Sequence, residues 1–338
     1  MYGVTNMANI KDIAKLCGVN PATVSRALNG QKGVSAAMRE KIVTAAQKLS
    51  YSKNPLAASL ITRHSGMIGL VVPDITNPYY AWVAKGVTKV LDEAGYVIFL
   101  CDCDRKNELE RKYFEKLCAY RVEGVILLSV TANEEDLQIF FDKGIRVVCV
   151  DNHISKKIST VSNDNYQGAC DLAEHLITNC NSKKVVAVMG APEAMTTINR
   201  LRGYTDTYAS HGLENAIEVM SISSTYDEGY RIAPEALAKN PDTIIAINDT
   251  VALGIFAYCQ RHNINIPNDV HLAGYDDIEE SAMISVPLTT VHQRKYVLGQ
   301  KAATQLLQEL SDEDPTPIRI ELLPKLVVRA SCGEQTYN

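Results

Sequence analysis

Residues Ile10 to Leu28 read IKDIAKLCGVNPATVSRAL, and the reading of this stretch decides how the N-terminal part of the chain folds. Ile10, Ile13, Ala14, Leu16, Val19, Val24 and Leu28 recur at the spacing of two short amphipathic helices bent over a tight turn at Cys17-Gly18-Val19. That is a helix-turn-helix pattern. Asn9 and Asn20 stand where N-caps belong, and Pro21 follows at the first helical position, where its missing N–H costs nothing. On the second helix Val24 and Leu28 fall on the buried side, while Ala22, Ser25, Arg26 and Asn29 face outward. An exposed helix with small residues at its start fits a DNA major groove.

Charge supports the same reading. Residues 1–64 hold nine Lys/Arg against two Asp/Glu, a net +7, so the rest of a chain whose total is −5 carries −12. A basic head on an acidic body suits phosphate contact by the head alone. The third helix is capped by Ser35 and runs through Met38, Ile42, Ala45, Ala46 and Leu49, whose spacing gives an apolar face for the first two to pack on. After Tyr51 comes Asn54-Pro55, a helix-start signal for a segment of two turns at most, marginal in isolation and expected to fold on binding.

From Met67 the texture changes. Met67 to Val72, Tyr96 to Leu100, Val122 to Leu128, Ile145 to Val150, Lys183 to Met189, Thr243 to Ile247 and Val270 to Ala273 are short apolar runs separated by helical patterns. Such runs indicate parallel sheets in doubly wound domains, and their number suits two lobes better than one sheet.

The run from Ile10 to Leu60 closely resembles the lactose/galactose repressor (LacI/GalR) family, with a VSRALN-type recognition helix, a third helix opened by Val34-Ser35 and Tyr51 before the hinge. Arg200-Leu201-Arg202-Gly203-Tyr204, Asn248-Asp249 and Gly274-Tyr275-Asp276-Asp277 extend the resemblance over nearly the whole chain. It implies an all-α, three-helix DNA-binding domain over residues 8–53 and a hinge helix over 54–65. A two-lobed α/β body like a periplasmic sugar-binding protein would then occupy 66–330. Residues 1–7 read as an extension and 331–338 as a tail. Chain crossings near Asn163, Gln293 and Leu323 would divide the body into lobe 1 (66–162 and 294–323) and lobe 2 (163–293 and 324–330).

The resemblance also assigns residues. Pro21, Ala22 and Arg26 come closest to base edges, Arg26 reaching guanine O6 and N7, while Thr23 and Ser25 hold phosphates and Asn29 closes the exposed face. In the hinge, Asn54 opens the helix, Ala57 lets two hinge helices approach, and Leu60 wedges a minor-groove base step. Lys53, Pro55 and Ala58 depart from the family's usual hinge.

Ligands of open parallel sheets bind beyond the carboxyl ends of strands, which directs attention to the loops there. Tyr79 and Tyr80 offer flat faces with polar tips, Thr196 and Arg200 follow Met189, and Asn248 and Asp276 place acceptors at strand ends. Gln293, at a crossing, and Asn152 complete the candidate effector site, with Asp277 a candidate to hold the lobes or cap the next helix. Ser224 and Asn152 stand where family members with purine effectors carry bulky rings, which favours a sugar or sugar derivative.

The resulting expectation is a homodimeric repressor of double-stranded operator DNA under effector control. A periplasmic-type binding protein, purine control and control by a protein partner are the alternatives. The stretch 296–310 has an apolar face at Val297, Ala302 and Leu306 that suits either a dimer interface or the core, and the residues from Arg329 onward are too few for a tetramerising heptad tail. No G-x-S-x-G elbow, phosphate-cradling loop, dinucleotide fingerprint or H-E-x-x-H pattern argues for an enzyme. Cys101-Asp102-Cys103-Asp104 lacks a second Cys/His pair at zinc spacing, so neither metal nor cofactor is expected. Nine scattered cysteines, no signal-peptide pattern and no apolar run of membrane-spanning length point to the cytoplasm.

Overall fold

The computed structural model describes residues 8–49, 51 and 64–333. Residues 1–7, the hinge positions Lys53, Asn54, Pro55, Ala57, Ala58 and Leu60, and residues 334–338 lie outside the described residues. The chain forms two compact units that divide between Ser65 and Gly66.

The first unit contains α1 (Ile10–Cys17), α2 (Pro21–Leu28) and α3 (Ala36–Lys48). Each start is fixed by a side chain that takes an otherwise unpaired backbone N–H. The Asn9 carbonyl oxygen accepts from Lys11 N at 2.8 Å while Asp12 reaches back to Asn9 N, Asn20 accepts from Thr23 N at 2.7 Å, and Ser35 accepts from Met38 N. Gly18 ends α1 in the left-handed region at φ 71°, where a β-carbon would be strained, and this makes the tight turn. Ile13, Ala14, Cys17, Val24, Ala27, Ile42, Ala45 and Ala46 form the core. Leu16, expected among the packing residues, is 57% exposed, because Ile13, Ala14 and Cys17 define a face that leaves it on the flank. Arg39 ties α3 to the end of α2 by donating to the carbonyls of Ala27 and Gln31.

The second unit has two lobes. Lobe 1 is a six-stranded parallel sheet ordered β11-β5-β4-β3-β1-β2, from β1 (Met67–Val72), β2 (Val97–Asp102), β3 (Gly124–Leu127), β4 (Arg146–Val150), β5 (Ser159–Asn163) and β11 (Arg319–Leu322). One face packs on α4 (Pro78–Glu93) and α12 (Lys295–Ser311), the other on α5 (Asn107–Ala119) and α6 (Glu134–Phe141). Lobe 2 is a parallel sheet ordered β7-β6-β8-β9, from β6 (Val185–Met189), β7 (Ile217–Ser221), β8 (Thr243–Ala246) and β9 (His271–Ala273). It is covered by α7 (Asn165–Cys180), α8 (Met195–Ser210), α9 (Tyr226–Ala238) and α10 (Asp249–Arg261), and a single turn, α11 (Glu280–Met283), follows β9.

The chain passes between the lobes after Asn163, after β10 (Thr290–His292) and between Leu322 and β12 (Lys325–Val327), with β10 and β12 pairing antiparallel. Asp277 belongs to these crossings and caps no helix: its carboxylate meets Arg329 at 2.6 Å and His292 at 2.8 Å. In α12, Ala302 and Leu306 are fully buried against lobe 1, so the helix serves the core. Among the described residues no helix is long and apolar enough to cross a membrane.

Candidate functional site

On α2 the exposed residues are Pro21, Ala22, Arg26 and Asn29, with Thr23 and Ser25 half-buried between them. Asn29 donates to Ser25 Oγ at 3.4 Å, and Thr23 Oγ1 donates to the capping Asn20 at 3.0 Å. The helix therefore presents one polar strip with Arg26 at its centre, held rigid behind by the buried Val24 and Ala27.

In the second unit, the loops at the carboxyl ends of both sheets face each other across a cleft of about 590 Å³. Tyr79, Tyr80, Asn152, Thr196, Arg200, Asn248 and Asp276 line it, so seven sequence candidates converge from distant parts of the chain. The eighth does not. Gln293 is fully buried behind the wall, where its amide donates to the carboxylate of Asp276. Sequence placed it at the crossing correctly, but which side of Asp276 it takes depends on packing between β10 and the loop after β9.

Arg200 organises the floor. It is 5% exposed, its Nε donates to Asn165 Oδ1 at 2.8 Å, one Nη donates to the carbonyl of Ile247, and the other lies 3.7 Å from Asp276. Its guanidinium plane stacks 3.7 Å above the Tyr275 ring. Asp276 itself sits at φ 113°, a left-handed conformation held by Gln293, by Lys295 donating to its carbonyl and by its own N–H bonded to Val291 O. Asn248 caps α10 by accepting from Val251 N, which leaves its amide N–H₂ for the cleft. A buried guanidinium and a carboxylate side by side can grip adjacent hydroxyls, one donating and the other accepting.

Lobe 1 contributes residues that sequence reading did not single out. Asp151, at φ 55° after β4, receives the Tyr79 hydroxyl and the N–H of Asn163. Glu110 accepts from Ser129 Oγ at 2.9 Å, and Asn152 donates to the carbonyl of Ser129. Arg105 reaches across the cleft: its Nε meets Asp74 at 3.1 Å and its Nη2 donates to the carbonyl of Ser224 in lobe 2. The available signal was a polar residue directly after an apolar run, as in Val150-Asp151. For Glu110, inside a helix, there was none.

Burial raises the carboxyl of Asp276 to about 6, opposed by Arg200 and Lys295, and burial beside Asp276 raises Asp249 to about 7. Asp249 stands behind the floor, accepting from Thr290, Ser281 and the N–H of Ile278. Both groups bind protons more tightly folded than unfolded. Their contribution to stability is thus fully present below the unfolded value near 3.8 and lost as pH rises through about 6 to 7. Asp277, drawn down to about 2 against burial by His292 and Arg329, acts oppositely but only as pH falls below 3.8. Asp249→Asn should therefore remove a destabilisation that grows between pH 5 and pH 7, so the melting temperature of the variant relative to wild type is higher at pH 8 than at pH 5. A difference between variant and wild type that does not change from pH 5 to pH 8 contradicts the assignment to Asp249.

Residues 65–328 match the family described as periplasmic binding proteins and sugar binding domain of LacI family, and residues 9–54 match bacterial regulatory proteins, lacI family. The chain is 32% identical over 337 residues to a ribose operon repressor of Halalkalibacterium halodurans, covering 98% of this chain and 100% of the relative. It is 30% identical over 335 residues to the HTH-type transcriptional repressor PurR of Aliivibrio fischeri, covering 96% and 98%. A ribose-bound LacI family regulator from Enterococcus faecalis superposes with a TM-score of 0.72 at 28% identity, covering 78% of this chain and 98% of that one.

Proposed function

The chain belongs to the LacI family of bacterial regulatory proteins, DNA-binding transcriptional regulators under small-molecule control, and from that premise we propose a repressor whose effector is a sugar or sugar derivative. The observation that carries the effector class is the floor of the cleft, where Arg200, Asp276 and Asn248 meet as a donor, an acceptor and an amide around one point. Hydroxyl-rich rings satisfy such a set. A purine needs flat faces on both sides, yet Asn152 and Ser224, which line the cleft, are not rings, and the family resemblance implies rings at their positions for purine effectors; Tyr79 also commits its hydroxyl to Asp151.

A thermal-shift panel of pentoses, hexoses, disaccharides, sugar phosphates and purines tests this. A ligand at a hundred times its Kd raises the melting temperature by about 5 °C. A sugar giving that shift supports the class, and a purine giving it overturns the class.

We assign DNA contact to Pro21, Ala22, Thr23, Ser25, Arg26 and Asn29, with Asn54, Ala57 and Leu60 acting in the hinge as the family's arrangement implies. Two copies would read a near-palindromic operator. The exposed Val97 and Leu100 on the edge strand β2, with Tyr120 nearby in sequence to β3, supply apolar surface for the second copy. Effector binding then alters the angle between lobes already bridged by Arg105 and Ser224, and the hinge carries that change to the DNA. Arg26→Ala should weaken binding to a selected operator by about 1–3 kcal/mol and relax preference at one base pair, while binding to random DNA at the same salt changes little. Equal losses on both DNAs refute base reading by Arg26.

A further inference from the structure

Nine cysteines are free, and most are inert by burial. Two stand apart. Cys180 is the last residue of α7, half-buried, and its Sγ lies 3.1 Å from the carbonyl oxygen of Cys332 and 3.9 Å from His175 Nε2. Cys332 belongs to a single 3₁₀ turn, Ala330–Cys332, which returns the chain to the edge of β9 after the last crossing. That turn is held firmly: Ser331 donates to Leu272 O at 2.6 Å, accepts from Thr289 N at 2.8 Å, and donates its own N–H to Pro287 O. The Cys332 thiol itself donates to the carbonyl oxygen of Leu272 at 3.6 Å.

We propose that Cys180 and Cys332 are a peroxide-responsive pair, a reactive cysteine beside its resolving partner, which closes to a disulfide between the end of α7 and the C-terminal turn.

The surroundings divide the two roles. The neighbouring Cys332, and after it His175 and His271, bring Cys180 down to about 5 against the cost of burial. Cys332 is 3% exposed and is pushed upward, chiefly by burial and then by the neighbouring sulfur. Cys180, whose S–H donates to the Cys332 carbonyl, is therefore the readier of the two to ionise, and Cys332 stays a protonated thiol. Among the described residues no three His, Cys, Asp or Glu side chains converge as a metal site.

The step balances with hydrogen peroxide as oxidant. The Cys180 thiolate attacks one peroxide oxygen, the O–O bond breaks, and the departing hydroxide takes a proton to leave as water. The resulting Cys180 sulfenic acid is attacked by the Cys332 sulfur, the S–O bond breaks, a second water leaves with the Cys332 proton, and the S–S bond forms. Two thiols are oxidised by two electrons and one peroxide is reduced. The cross-link fastens the strap that follows β12 to lobe 2, next to the Arg329–Asp277 pair at the crossings.

The test is peptide mapping of the full chain under non-reducing conditions after brief treatment with hydrogen peroxide. A Cys180–Cys332 linked peptide that dithiothreitol releases is the expected result. Cys332→Ser should instead accumulate a Cys180 sulfenic acid that dimedone traps, which the wild type does not. At pH 5.5, iodoacetamide should alkylate Cys180 about tenfold faster than free cysteine, the larger thiolate fraction outweighing its weaker nucleophilicity. If peroxide leaves both thiols free, or oxidises each separately without a cross-link, the proposal fails. The wild-type map decides this even if the variant does not fold.

Discussion

Arg200→Ala removes the effector response while operator binding persists, with effector affinity lower by about a hundredfold or more. The magnitude follows from what Arg200 holds. Truncating one partner of a buried, hydrogen-bonded charge pair costs about 2–5 kcal/mol, and each 1.4 kcal/mol is a factor of ten. Here the loss also strips Asp276 of its nearest cation, so burial keeps that carboxyl protonated further into the neutral range and removes an acceptor along with the donor. Arg200→Lys retains charge but cannot reproduce a fork that meets Asn165, Ile247 and Asp276 together, so it should rescue binding only in part. Isothermal titration with the ligand identified by thermal shift, paired with operator binding with and without that ligand, reads both effects. Wild-type effector affinity in Arg200→Ala would remove Arg200 from the site.

The second large effect lies in the scaffold. Gly299→Val should lower the melting temperature of the second unit by about 6 °C. At the crossing of α4 and α12 the backbones approach so closely that a β-carbon on Gly299 would stand 2.1 Å from Val83 O, and one on Gly86 equally close to Tyr296 O. The obstruction is carbonyl backbone on both sides and cannot rotate away, so the helices must part. Overpacking of this kind costs about 3 kcal/mol, which in a unit of this size amounts to several degrees or more. Gly86→Ala should show the same effect at smaller size, part of it offset by better helix propensity. Circular dichroism melts suffice; an unchanged melting temperature for Gly299→Val would mean that the crossing is looser than described.

Much of this was legible in the sequence because local chemistry and global structure agree. Asn9, Asn20 and Ser35 cap where their side chains predict, and buried parallel strands announce themselves as uninterrupted apolar runs such as Met67 to Val72. The strands that escaped are those without that signal. β5 reads STVSN, and its small polar residues are buried only because it lies between β4 and β11, while β7 and β11 are edge strands with polar alternation. The same division holds in the cleft. Arg200, Asn248 and Asp276 stand at strand ends or in recognisable short motifs, whereas Asp151 acquires its role from Tyr79, 72 residues away. Leu16 and Gln293 show the remaining ambiguity: periodicity and position identify an element, but not which flank of it a neighbour will cover.

Lobe 2 is assembled almost entirely from one continuous stretch, whereas the lobe 1 sheet and its cover draw on segments separated by more than a hundred residues, since α12 and β11 arrive only after β10. During synthesis the chain therefore presents β1 to β5 with one sheet face covered by α4 alone and the outer edge of β5 unpaired until about the last eighth of the polypeptide emerges. A ribosome stalled near Gln293 would hold a nearly finished second lobe attached to an open, adhesive first one. Effector competence, which needs both walls of the cleft, is in this sense the last property the nascent protein acquires.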